Sequence, residues 1–415
     1  MTAPSVRVEL VARSSSSFFD FFTWGTSLWG EDVWAASDLS LIDITADVRR
    51  VRISRGRDRD IDEFRAGTCY VEFNNADRRY DPTNTASNLY GNVEPMRGIV
   101  VTSIVGGVDY PLFYGYAQQW TVDYSQQNLP LAGVVAADAM AILANQELPA
   151  IASAHSGDLS GARISRVLDR AEVNFPSDKR SVATGLSTFG ATTLGQNAGR
   201  YLQLCAQSEG GTLYVSKAGV LTFEQRNTAP GASLATFADD GAAASIPYLA
   251  IDQDMSVDLL YNRVITSGTT GVEQTAEDAT SQTAYQVRTL QRTGQLVLSD
   301  TEMAAQGKVL LARYATPEMR LRQVVVRVDA ISAARQAELL GLEVTDRVTV
   351  KRTPPGGGTP AVISQAASVN GLAWEIAQGA TDWLATVTLQ AGERALPWIW
   401  GDADLGVWGE NYWSY

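Results

Sequence analysis

The chain has 415 residues, 45% of them hydrophobic and 19% charged, a globular composition long enough at ~150 residues per domain for two to four domains. Thirty-three Lys and Arg against 46 Asp and Glu leave a net charge of −13, which excludes a chain-wide basic footprint for gripping DNA or RNA. A single histidine, His155, and two cysteines without C-x-x-C spacing, Cys69 and Cys205, exclude a multi-histidine zinc site, a disulfide framework and a thiolate metal site.

The amino terminus carries Arg7 and Glu9 where a signal peptide needs an apolar core, and the longest apolar run, Gly98 to Gly107, is too short for a bilayer. The expectation is a chain made in the cytoplasm with no membrane segment. From Asp47 to Ala137 the pattern is mostly strand. Val48, Val51 and Ile53 sit among arginines, and Gly67–Asn74 alternates Cys69, Val71 and Phe73 with polar partners. Further strands are expected at Gly98–Ile104, Tyr110–Tyr116, Gln119–Tyr124 and Leu129–Ala136, separated by turn-forming clusters.

Asp138 reads as the N-cap of a short helix through Leu143. Ile164, Val167, Leu168 and Ala171 follow the i, i+3, i+4, i+7 stripe of a surface helix. Asn197 to Ser208 reads as a second helix stopped by Gly210-Gly211, and a hairpin follows with Lys217-Ala218-Gly219 at its turn. The Gly/Ala/Asp-rich passage from Pro230 to Ser245 is the best boundary in the chain. Beyond it, strand patterns at Val257–Thr266 and Arg320–Asp329 bracket a helix opened by the capping box Ser299-x-x-Glu302, with Pro317 beyond its end. A short helix ends at Leu339-Leu340-Gly341. Strands are expected at Arg347–Lys351, Ala361–Ala367, Leu372–Ile376 and Trp383–Leu389, with the Pro354–Pro360 loop capping a hairpin.

The fold class is therefore mainly β with α/β insertions. The expected division is an N-terminal arm (1–46), a first β-barrel-like unit (47–140), a helical middle unit with a hairpin (141–250), a second β-barrel-like unit (251–395) and a C-terminal tail (396–415). Neither β segment holds enough continuous apolar strand to build one large sheet, so two small barrels with unpaired edges are expected.

Residues that could carry chemistry are few. His155 lies beside Ser156 and Asp158, but neighbours in one loop rarely adopt triad geometry, and an exposed loop histidine is the simpler reading. Asp77, Asp81 and Asn84 offer oxygen ligands at short spacing, yet Asx turns around Asp81-Pro82 explain the same residues without a metal. No cofactor motif is present. Arg49, Arg50, Arg52, Arg55, Arg57 and Arg59 are followed by Asp58, Asp60, Asp62 and Glu63, which reads as a mixed-charge edge or subunit contact rather than a phosphate site. A W-G-E-x-x-W core recurs near both ends, with Trp24, Trp29 and Trp34 in one copy and Trp400, Trp408 and Trp413 in the other. These indoles are candidate partner contacts: packing against the chain's own body or a neighbour, docking to another protein, or stacking on a sugar.

Several local patterns in order resemble one family. Val48-Arg49-Arg50-Val51-Arg52-Ile53-Ser54-Arg55-Gly56-Arg57 is followed by Phe64-Arg65-Ala66-Gly67-Thr68-Cys69, by Asn75-Ala76-Asp77-Arg78-Arg79-Tyr80-Asp81-Pro82 and by Leu112-Phe113-Tyr114-Gly115-Tyr116-Ala117. Later come Glu209-Gly210-Gly211-Thr212-Leu213-Tyr214, Gly219-Val220-Leu221-Thr222-Phe223, Tyr261-Asn262-Arg263-Val264 and Leu310-Leu311-Ala312-Arg313-Tyr314. Together they resemble the minor tail proteins of long-tailed bacteriophages, especially of actinobacteria, and within them the baseplate or tail-tip hub.

The resemblance implies a structural, non-enzymatic virion protein. It implies a homotrimer whose two β units make a pseudo-sixfold ring closing the tail tube, between the distal tail and tape measure proteins and the host-binding apparatus. It also implies passage of phage DNA along the axis without specific binding, and the acidic balance is then expected to keep a channel wall from holding phosphate. The chain stops soon after Leu389, where many relatives continue into receptor-binding or wall-cleaving domains. The rival readings are a glycan-binding tail protein that uses the tryptophans, a tail-associated wall hydrolase and the hexameric distal tail protein.

Overall fold

The computed structural model describes residues 4–12, 41–59, 61–124, 130–150, 156–226, 228, 231–377 and 382–391. Both tryptophan copies and His155 lie outside the described residues.

The first segment supplies β1 (Ser5–Val11), β2 (Leu41–Asp43), β3 (Val48–Gly56), β4 (Arg65–Asn74), β5 (Gly98–Val105), β6 (Val108–Asp123) and β7 (Leu131–Ala137). Two expected strands, Tyr110–Tyr116 and Gln119–Tyr124, are one strand: β6 pairs with β5 through its first half and with β7 through its second. A register shift between Ala117 and Gln119 marks the change of partner.

The middle of the chain forms α1 (Ala139–Leu143), β8 (Asp158–Leu159), α2 (Ser160–Leu168), β9 (Arg180–Val182), β10 (Thr188–Phe189), α3 (Ala198–Glu209), β11 (Thr212–Val215) and β12 (Leu221–Glu224). Asp138 caps α1 as its sequence position predicts, accepting from Met140 N, and Asn197, expected as the first residue of its helix, is the N-cap of α3 and accepts from Arg200 N. Gly210 ends α3 in the left-handed conformation.

The passage expected as a boundary is not a bare linker. It contains β13 (Ala235–Ala238), which pairs in parallel with β19 (Arg347–Arg352). Between them come β14 (Ala250–Asp254), β15 (Arg263–Ser267), β16 (Glu273–Glu277), α4 (Ala279–Tyr285), β17 (Thr289–Arg292), α5 (Asp300–Tyr314), β18 (Arg320–Arg327) and α6 (Ala333–Gly341). The chain then runs through β20 (Ile363–Ala377) and β21 (Trp383–Ala391). Ser299 accepts from Glu302 N to open α5, but the Glu302 side chain leaves the cap for Ser187 and Arg226. Of the expected strand at Val257–Thr266 only the end is strand, in β15, and β14 lies before it.

The two β segments do not make two separate barrels. A 13-stranded sheet runs β14-β18-β21-β20-β3-β4-β7-β6-β5-β1-β2, with β19 and β13 branching from β20, and no barrel closes among the described residues. The seam is the antiparallel pairing of β20 with β3, from Gly371↔Gly56 to Ala377↔Arg50. Alternation marked β3 and read β20 as two strands, Ala361–Ala367 and Leu372–Ile376, and it said nothing of this pairing between segments hundreds of residues apart. Placed at the seam, the arginine run is central rather than an edge. Arg50 and Arg52 point outward while Val51 and Ile53 are buried.

One face of the sheet is core. Val326, Ala385, Trp374, Ile53, Cys69 and Ala136 stand in one register row across β18, β21, β20, β3, β4 and β7, all buried. They belong to one apolar cluster that joins both β segments, with Leu339 and Leu340 of α6 packed into it. A second cluster unites α1, α2, α3 and the β11–β12 hairpin with Leu296, Val297 and Met303. By this packing, the start of α5 sits on the middle unit.

The β19–β20 connection behaves as its composition predicts. A Cβ added at Gly356, Gly357 or Gly358 would meet nothing within 4 Å. Deleting these three glycines is expected to leave a soluble protein whose melting temperature is unchanged within error, since surface changes of this kind stay within about 0.5 kcal/mol. Aggregation of the deletion variant would show that the loop is needed for folding.

Candidate functional site: an open sheet face and the clamp beside it

Among the described residues the face opposite the core is largely uncovered, with Ala137 buried at one end. A row of Arg327, Leu384, Glu375, Arg52, Tyr70 and Val135 crosses the six strands from β18 to β7, and the next holds Val325, Thr386, Ala373, Ser54, Thr68 and Ala137. Small and neutral side chains dominate. Arg52 pairs with Glu375 across the seam at 3.7 Å, both half exposed or more. An ion pair this open adds little stability. It removes a lone positive charge from the centre of the face.

The edge of this sheet meets the middle unit at a buried polar clamp. Arg55, at the end of β3, donates at 2.8 Å to both Val215 O of the hairpin and Glu343 Oε1 beyond α6. Glu343 Oε2 accepts from Lys217 N at 2.8 Å. The Lys217 ammonium donates to the carbonyls of Leu340, Gly341 and Leu342 at 2.9, 2.5 and 3.0 Å. These are the unsatisfied acceptors of a helix end, which a cation satisfies electrostatically as well as by hydrogen bonds. Burial pushes the Lys217 amine down and the Asp346 carboxyl up from their ordinary values. Glu224, on β12, accepts from both Tyr214 and Thr345, adding a third strand-to-loop tie.

Asp138 stands close to this clamp. Its carboxylate accepts from Gly67 N at 2.6 Å and Met140 N at 2.9 Å, and burial raises it to about 7 against those two bonds and the nearby Arg55 charge. The folded state thus binds this proton more tightly than the unfolded state does. Its stabilising contribution is full at low pH and is lost as pH rises from the ordinary carboxylate range through 7. Asp346 acts in the same direction. Asp43 and Asp158 are shifted down and withdraw stability only as pH falls below about 4. Thermal stability is therefore expected to fall between pH 5 and pH 8, and Asp138→Asn to flatten that slope. A variant whose melting temperature still follows the wild-type pH curve would refute the assignment.

A second tie holds α5 to the middle unit. Glu302 Oε1 accepts from Arg226 at 2.5 Å and from the Ser187 hydroxyl. Fully buried Glu209 accepts from Ser160 Oγ at 2.8 Å and Ser187 N at 2.7 Å. Both oxygens of Glu209 and Oε1 of Glu302 face donors of the fold itself, which makes these carboxylates staples of the fold.

The oxygen-rich loop is also internally satisfied. The Thr83 hydroxyl, Arg78 and Tyr124 hold the Asp81 carboxyl well below the usual range. Asp77 accepts from Arg79 N, and Asn84 bonds Arg78 O and Ala86 N. These are the Asx-type turns of the sequence reading. No group of three candidate metal ligands occurs among the described residues. The clamp residues Lys217 and Glu343 carry no local motif, and only the hairpin turn around Lys217 was visible in the sequence.

No known family profile matches the chain, and no curated protein sequence matches it. Solved structures do. The chain is similar to a tail protein from Neisseria meningitidis MC58, at 12% identity and TM-score 0.56, covering 94% of this chain and 96% of that one. It is similar to the 43 kDa tail protein of prophage MuSo2 from Shewanella oneidensis, at 13% identity and TM-score 0.58, covering 93% and 98%. It is also similar to a chain of the Francisella PdpA-VgrG complex, at 8% identity and TM-score 0.50, covering 94% of this chain and 53% of that one. At such identities the likeness is one of fold. No helix among the described residues is long and apolar enough to cross a membrane. The open face, the seam and the clamp thus belong to a mainly β architecture that this chain shares, nearly end to end, with two tail proteins.

Proposed function

We propose that the chain is a structural, non-enzymatic protein of a phage tail tip: the hub that closes the tail tube as a homotrimer. The observation that carries this reading is the end-to-end likeness of fold to two tail proteins. In this role the hub joins the distal tail and tape measure proteins to the host-binding apparatus, as a virion component of the siphovirus type assembled in the host cytoplasm. The two β segments, fused through β3 and β20, give each copy two adjacent parts of one ring.

The open face is the surface we assign to the genome's path during ejection. A polyanion sliding past it meets small neutral side chains and a paired Arg52, not a basic track that would hold phosphate. The face is near neutral rather than uniformly acidic, since Arg50, Arg52 and Arg327 stand near Glu72 and Glu375. Passage without adhesion needs only that counterion-releasing contacts be few.

Native mass spectrometry and electron microscopy of the assembled protein test the reading. Three copies per ring are expected. Six copies per ring, or one copy on the axis, would replace the hub by a distal tail protein or a central spike. Zymography on peptidoglycan is expected to show no clearing, and clearing by the purified chain would overturn the non-enzymatic assignment.

A further inference from the structure

We infer that the turn Glu343–Asp346 is a strained latch: it locks the β11–β12 hairpin of the middle unit to the large sheet, and the joint between them opens as a unit while both sides stay folded. The inference concerns the single chain and does not depend on its place in a tail.

The first observation is how the core is divided. One apolar cluster fills the large sheet, and a second fills the middle unit together with the start of α5. Between them lies a cluster of three residues, Phe64, Tyr214 and Val344, while Ala66 and Tyr116 of the sheet are partly buried against the second cluster. The clamp described above supplies polar ties across the same joint. A small and largely polar contact between two separately cored bodies is the kind that moves.

The second observation is strain. Thr345 has φ +79°, and of the described non-glycine residues with positive φ it is the β-branched one. Its turn is closed by Asp346 N, which donates to Glu343 O at 3.2 Å. A positive φ inside a turn is the place of glycine or asparagine. A side chain branched at Cβ is crowded there, so the conformation persists only where its surroundings enforce it.

The third observation is that the enforcement comes from both sides of the joint. On the sheet side, Val369 O accepts from Thr345 N at 2.8 Å and Val369 N donates to Asp346 O at 2.8 Å. On the hairpin side, Glu224 Oε1 accepts from the Thr345 hydroxyl at 3.1 Å, and Lys217 N donates to Glu343 Oε2 at 2.8 Å. Val344, 1% exposed, packs with Tyr214 of the hairpin. Withdrawing the hairpin removes the second set of ties and leaves the strain, so the turn relaxes. Glycine would form this turn more easily, but it lacks the hydroxyl that reaches Glu224. Threonine gives a turn that is set only while the hairpin is seated.

The test is hydrogen exchange of the full chain, followed by NMR. It is read at the amides of Lys217 and Thr345, on opposite sides of the joint, and of Val71 and Leu202, inside the two bodies. Lys217 and Thr345 are expected to share one protection factor, lower than those of Val71 and Leu202 and nearly independent of dilute urea. Thr345→Gly and Thr345→Val both remove the hydroxyl, and only the valine keeps the branch at Cβ. Lys217 is expected to exchange about fivefold or more slowly in the glycine variant than in the valine variant. If Lys217 and Thr345 exchange only together with Val71 and Leu202, the joint does not open and the latch is overturned. Different protection at Lys217 and Thr345 would mean separate local fraying, and equal Lys217 rates in the two variants would mean that the turn stores no strain. Either result overturns the latch as well.

Discussion

A single methyl group at position 56 is expected to lower the stability of the whole chain by about 4 kcal/mol. Gly56 closes β3 with φ +112°, a conformation that L side chains rarely adopt. A Cβ there would lie 2.2 Å from Asn370 O and 2.4 Å from Gly371 Cα. Those atoms are backbone and cannot swing aside. They are also the seam, since Gly56 faces Gly371 in register and Asn370 O accepts from Arg57 N at 3.0 Å. Gly56→Ala must therefore part β3 from β20 or bend both. Its melting temperature should fall by about 5 °C, with early protease cleavage near the seam. Gly341→Ala is the control, because a Cβ there meets nothing within 4 Å. Equal melting curves for the two variants would show that the seam is not under this constraint.

Removing the Arg55 side chain should cost a similar amount by a different route. Its guanidinium is 3% exposed and holds Glu343, itself only 18% exposed, together with Val215 O. Arg55→Ala leaves a nearly buried carboxylate without its cation and a carbonyl without its donor, a loss of about 3–5 kcal/mol. The pair as such need not be stabilising. Arg55→Met with Glu343→Gln removes both charges and should recover a large part of the loss. Thermal melts of wild type, Arg55→Ala and the double variant decide this. If the single variant melts like wild type, the clamp contributes nothing to the fold.

What the sequence revealed was local. Asp138 and Ser299 cap helices where their sequence positions predict, because a cap is decided by residues two or three positions apart. Strand alternation at β4 is equally local: Cys69, Val71 and Phe73 face the core as read. The seam was hidden for the same reason. Period-two patterning says which face a strand buries and nothing about which strand lies beside it. β6 and β20 each read as two strands because their registers shift where the partner changes, at Ala117–Gln119 and Val369–Gly371. Of the candidate site, the arginine run was visible and its role was not. Arg55 and Arg57 turn inward to Glu343 and Asn370, partners that become neighbours only once the sheet exists.

The pairing of β3 with β20 also has a consequence for synthesis. Arg57 and Asn370 are 313 positions apart, so at about 5–20 residues per second the ribosome needs tens of seconds to deliver the second strand after the first. Throughout that interval β3 is a nascent sheet edge with its backbone donors and acceptors unclaimed. Such an edge invites pairing with other nascent chains on the same messenger. Arg50 and Arg52, pointing outward from β3, place positive charge along it, and two emerging copies repel at the site where they would otherwise associate. Residues that in the finished sheet lie on an open surface thus guard the polypeptide while it is still incomplete.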